Sequence, residues 1–141
     1  AGDRLSVIAQ AGGIVPLVRL VTAGNPMSRE MAASALWHLS VDVDNKVLIT
    51  QAGGIKPIVQ LLDDGTIPSH AFAKETLMRL AVDSPENQGQ IAKKLVALLA
   101  NGPGLAIGTQ QRAAHVLWQL ALHHAAAPLR IVNAGSIAPC V

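Results

Sequence analysis

The sequence predicts an all-α fold, built as a solenoid of repeated helical units, and three observations carry that expectation. The phrase "IAQAGGIVPLVRLV", beginning at Ile8, returns as "ITQAGGIKPIVQLL" at Ile49 and in shortened form as "IVNAGSIAPCV" at Ile131. The match is gapped and extends beyond the phrase. A shift of 41 residues lays Pro16 on Pro57, Leu20 on Leu61, Ser28 on Ser69, Leu36 on Leu77 and Leu39 on Leu80, and a further 40 carries Leu77 and Leu80 to Leu117 and Leu120. Self-similarity at such a period marks stacked supersecondary units. Second, half of the 141 residues are apolar, yet Phe72, Trp37 and Trp118 are the only aromatics. A core of Ala, Leu, Val and Ile suits helices packed closely on one another. Third, Ala32, Ala35, Leu36 and Leu39 recur at helical spacing, as do Ala73, Thr76, Leu77 and Leu80, and then Ala113, Val116, Leu117 and Leu120.

Each unit reads as three helical pieces. A short first helix lies near Asp44–Gln51 and ends at Gly53-Gly54, since glycine accepts the left-handed cap conformation. A second runs near Ile55–Leu62, with Pro57 in its opening turn, where a missing N–H costs little. Asp63-Asp64-Gly65 ends it. A longer third helix is expected near Ser28–Val41 and again near Ser69–Val82, with Ser28 and Ser69 as N-caps. The third unit departs from this pattern. Its Ala-Gly-Gly-Ile phrase is missing, so the first and second helices are expected to fuse into one over Asn87–Ala100. A longer connection, "NGPGLAIGTQ", follows. The whole chain, residues 1–141, reads as one domain with repeats near 3–42, 44–83 and 86–123 and a partial fourth over 126–141. Neither end carries a polar capping helix, which solenoid ends normally need. The chain is therefore expected to be a piece of a longer array.

The phrases "AGGIVPLVRLV" and "AASALWHLSVDVDNKVLI" resemble the armadillo repeat, in the "ALW-L" form of plant and protist proteins. The resemblance implies a right-handed superhelix of three-helix repeats. It also implies a protein-interaction scaffold, not an enzyme, whose third helices line a concave groove that takes an extended segment of a protein or peptide partner. The family often holds that segment with a ladder of asparagines. Here the ladder position carries His38, Arg79 and Gln119, and the tryptophan found one turn earlier in nuclear-import receptors is replaced by Ser34, Glu75 and His115. This pattern argues against an import receptor of the usual kind. Helical spacing adds Asp42, Asp83 and His123 to the groove face, with Glu30, Phe72 and Gln111 at its other end. These side chains can donate to and accept from a peptide backbone. The alternative is a substrate-recruiting or regulatory module of a larger enzyme such as a ubiquitin ligase or kinase. Only flanking sequence separates the two.

Trp37 and Trp118 share one repeat position. They could anchor a partner, but a large ring between stacked units buries much area, so packing is the preferred reading. Exposed termini carrying Leu5, Val7, Ile8, Ile131, Val132, Ile137 and Val141 predict self-association.

Other functions find little support. All nine acidic residues lie at or before Glu86, leaving Lys93, Lys94, Arg112 and Arg130 in a mildly basic remainder. That density is low for nucleic-acid binding. His115 and His123 stand two turns apart, roughly 12 Å along a helix, too far to share one zinc ion. Cys140 has no neighbouring ligand. "GPGLAIG" lacks the spacing and preceding strand of a phosphate loop. No cofactor, metal or catalytic set is expected. No apolar run reaches membrane-span length. A lone cysteine and no glycosylation sequon point to an intracellular home, cytoplasm or nucleus.

Overall fold

The computed structural model describes residues 7–101 and 104–123, and those residues are helices joined by short corners. Residues 7–10 form α1, followed by α2 (Ile14–Ala23), α3 (Pro26–Leu39), α4 (Val43–Gln51), α5 (Ile55–Asp64), α6 (Ile67–Ala81), α7 (Pro85–Leu99) and α8 (Ile107–His123). The partial fourth repeat, with its Ile131, Val132, Ile137 and Val141, lies outside the described residues, as does Leu5.

The recurring phrase forms the corner between first and second helices. Gly12 and Gly53 both adopt φ of 77°, a left-handed conformation that costs a side-chain-bearing residue roughly 1–2 kcal/mol. Each is followed by a glycine packed under the preceding helix. A Cβ on Gly54 would stand 2.8 Å from Ile49 Cγ2 and 2.9 Å from the Ile49 carbonyl oxygen. The double glycine is therefore a steric requirement of the turn. In the third repeat there is no such pair, and α7 runs unbroken from Pro85 to Leu99, burying Ile91, Ala92, Leu95 and Leu98 along one face. The expected fusion of two helices is present and starts two residues before the expected Asn87.

The third helices begin earlier than expected. Asn25 and Thr66, not Ser28 and Ser69, are the N-caps of α3 and α6. Asn25 Oδ1 accepts from the Ser28 N–H at 2.8 Å, and Thr66 Oγ1 accepts from the Ser69 N–H at 3.3 Å. A proline follows each cap within two residues, where its fixed φ is already helical, and this moves the start forward by a turn. Ser69 is instead buried.

The third helices stack side by side, α3 on α6 and α6 on α8, while α2, α5 and the C-terminal part of α7 form a second row. The core lies between the rows. Leu36, Leu39, Leu61, Leu62, Leu77, Leu80, Leu95 and Leu120 are almost wholly buried. Adjacent repeats are also tied by polar bonds. Arg29 reaches Asp64 at 2.6 Å and Thr66 donates to Glu30 at 2.7 Å. Thr109 donates to Asp63 at 3.0 Å, and Arg112 Nε donates to the Leu62 carbonyl at 2.6 Å. Buried Asn87 donates to Thr50 Oγ1 and to the Leu80 carbonyl, joining α7 to α4 and α6.

Candidate functional site

Because α3, α6 and α8 are neighbours, their outward positions form one continuous face. Six of the nine candidate groove residues gather between α6 and α8. A hollow of about 410 Å³ is lined by Glu75, Met78, Arg79, Val82, Asp83 and His123. A second, of about 360 Å³, shares Glu75, Met78 and His123 and adds Ala71, Lys74, His115 and Gln119. Together they make a trough with polar walls of both kinds, carboxylates and imidazoles, over Met78 and Val82. Ser34, His38 and Asp42 line neither hollow.

Three of the candidates are committed elsewhere. Arg79 stands at the ladder position but does not project freely from the face. Instead its guanidinium lies 5.0 Å over the Trp37 ring and donates to the Trp37 carbonyl and, at 3.4 Å, to Ser40 Oγ. It thereby satisfies an orphan carbonyl in the last turn of α3, where a positive charge also meets the negative end of the helix dipole. Asp42 is the N-cap of α4, its Oδ1 accepting from the Asp44 N–H at 2.8 Å and the Asn45 N–H at 3.3 Å. His38 Nδ1 donates to the Ser34 carbonyl at 2.8 Å, which fixes its tautomer and leaves Nε2 as the ring's remaining polar atom.

Asp83 occupies the same repeat position as Asp42 but does different work. α6 has one residue more than α3 and α7 begins one residue later in the repeat register, so Ser84 takes over as N-cap and Asp83 is held at φ 54° with its side chain exposed. Aspartate is among the residues that tolerate this conformation. The shift in register therefore turns a capping carboxylate into one that faces the hollow.

Met78 and Val82 were not among the candidates. Their signal was available, since a shift of 41 lays Trp37 on Met78 and Val41 on Val82. The two tryptophans part company. Trp37 packs at 5.4 Å between ring centroids on Phe72 of the next third helix, as the packing reading expected. Trp118 does not follow it. It is 58% exposed and stacked on His115 of its own helix. Among the described residues no helix is long and apolar enough to cross a membrane.

Stacked helical units with a shared third-helix face define an α-solenoid repeat protein. Residues 4–41 match the family model for the armadillo/beta-catenin-like repeat. The chain also superposes on the crystal structure of an engineered protein with a TM-score of 0.71 and 26% identity, over 97% of this chain and 57% of that one. It thus spans somewhat more than half the length of that structure. No curated protein matches the sequence. The chain is thus an α-solenoid of helical repeats, one stretch of which, residues 4–41, matches the armadillo repeat, a repeat that generally serves in protein-interaction scaffolds.

Proposed function

We propose that the chain is an intracellular protein-interaction scaffold, one domain of three armadillo repeats and part of a fourth, which holds an extended segment of a partner along the concave side of its third helices. The trough between α6 and α8 carries the reading. It sets Glu75, Asp83, Gln119, His115 and His123 around an apolar floor, the arrangement that reads a peptide backbone with polar groups and its side chains with contact surface. Arg79 supports the trough and does not touch the peptide.

Peptides selected for binding from a displayed random library provide the test. Glu75→Ala combined with Gln119→Ala is expected to weaken them at least about tenfold, a loss of roughly 1.4 kcal/mol. Lys56→Ala, on the row of second helices, is expected to leave them unchanged. Equal affinity for the groove variant and the parent overturns the reading.

A further inference from the structure

The missing glycine corner of the third repeat changes how its first helix packs. In the second repeat α4 turns at Gly53 into α5. In the third the chain runs straight on as α7, which packs on α5 and α6 and hardly on α4. The bond from Asn87 Nδ2 to Thr50 Oγ1, at 3.2 Å, bridges α7 to α4. Beside it, between α4, the end of α6 and the start of α7, lies a hollow of about 520 Å³. That is large enough to take a ligand or a long side chain. Its apolar lining is open to water, with Val43, Val47 and Val82 69%, 50% and 45% exposed. Its polar lining is rich in acceptors. Asp83 and Glu86 have no ion-pair partner among the described residues. Asn87 is 8% exposed, and while its amide donates to Thr50 and Leu80, its Oδ1 accepts nothing among the described residues. A buried acceptor of this kind calls for a donor. Asp83 is also held at φ 54°, and enforced left-handed residues gather at ligand clamps.

We propose that this hollow seats an arginine side chain of a protein partner. Arginine joins a long aliphatic stem to a planar cation with five donors. The stem suits Val43, Val47 and Val82, and the guanidinium suits the acceptors of Asp83, Glu86 and Asn87. Lys46 is the cation that lines the hollow, so two carboxylates against one ammonium leave the lining negative. A lysine would present a compact charge without the fork that serves several acceptors at once. Val82 and Asp83 also line the trough between α6 and α8, so an extended segment can pass from one hollow to the other. That continuity rests on the groove reading, whereas the arginine seat does not.

Amide NMR spectra of the 141-residue chain, titrated with capped tripeptides carrying arginine, norleucine or glutamate at the centre, test the proposal. The arginine peptide is expected to shift the resonances of Lys46, Val47, Glu86 and Asn87. It is expected to bind about fivefold more tightly than the norleucine peptide, since open ion pairs contribute modestly. The glutamate peptide is expected to leave those resonances in place. Asp83→Asn combined with Glu86→Gln is expected to bring the arginine peptide down to the norleucine level, and asparagine tolerates the left-handed backbone at this corner. Lys46→Gln removes the competing cation and is expected to tighten the arginine peptide about twofold, a gain that a misfolded variant does not give. Equal binding of the arginine and norleucine peptides overturns the proposal. So do shifts confined to Glu75, His115 and Gln119, arginine binding unchanged by the paired carboxylate substitutions, or arginine binding weakened by Lys46→Gln. The Glu75→Ala and Gln119→Ala chain is expected to bind the arginine peptide as the parent does, because neither residue lines this hollow. Its binding of library-selected peptides is a separate readout, so this inference and the groove reading can fail independently.

Discussion

Replacing Arg79 by alanine removes a tie between repeats and is expected to destabilise the fold measurably. In the structure the guanidinium donates to the Trp37 carbonyl, approaches Ser40 Oγ at 3.4 Å and lies 5.0 Å over the Trp37 ring. A hydrogen bond from a charged donor contributes about 1.5–3 kcal/mol and a cation–π contact about 0.5–1 kcal/mol at a site open to water. Arg79 is half-buried, so the lower ends apply, and Ser40 Oγ still donates to the Trp37 carbonyl at 2.7 Å after the loss. The expected cost is about 2 kcal/mol. With an unfolding slope of about 2 kcal/mol per molar urea, the midpoint should fall by about 1 M. A double-mutant cycle with Trp37→Leu should show coupling of roughly 0.5–1 kcal/mol, since the two side chains touch. Arg79→Lys should recover only part of the loss, because an ammonium lacks the planar fork that spans ring and carbonyl. A midpoint for Arg79→Ala within about 0.2 M of the parent would refute this account and return Arg79 to the free surface.

Further outcomes follow from individual contacts. Asn87→Ala deletes two bonds that join α7 to α4 and α6, and urea unfolding is expected to show a loss of about 2 kcal/mol. Gly53→Ala meets nothing within 4 Å, so its cost is the left-handed backbone alone, roughly 1–2 kcal/mol, visible as a lower thermal midpoint. Burial, then the nearby Arg112 and Lys74, hold the His70 pKa below its ordinary 6.5 despite the opposing Gly65 backbone bond and Asp64. The unfolded chain therefore takes up the proton first. Stability is expected to be full above pH 6.5 and to decline as pH falls from there through the lower folded value. His70→Gln should remove that part of the pH dependence in urea titrations at several pH values.

The corners and the core were legible in the sequence because their causes are local. A glycine pair that must turn left and pass under an isoleucine leaves few alternatives, and its absence near Ile91 announced the fused α7. Leu36, Leu77 and Leu117 could be read as buried because their spacing follows the helix. The helix starts were misread because two capping residues compete at each site. Asn25 and Thr66 stand three residues before Ser28 and Ser69, and the prolines between them decide the outcome. The commitment of Arg79 was illegible, because its acceptor lies 42 residues away on another helix. The different fates of Asp42 and Asp83 depend on one residue more in α6, which alignment by a fixed shift of 41 conceals. Trp37 and Trp118 share a repeat position, and among the described residues only Trp37 has a following third helix packed on its ring.

Hydrogen exchange on the chain with and without a library-selected peptide tests the central claim most directly. If the third-helix face is the binding surface, protection should concentrate on the α6–α8 trough, from Glu75 to Asp83 and from His115 to His123, while α2 and α5 exchange as before. Protection confined to α2, α5 and the C-terminal part of α7, with α6 and α8 unchanged, would contradict the claim and place binding on the opposite row of helices.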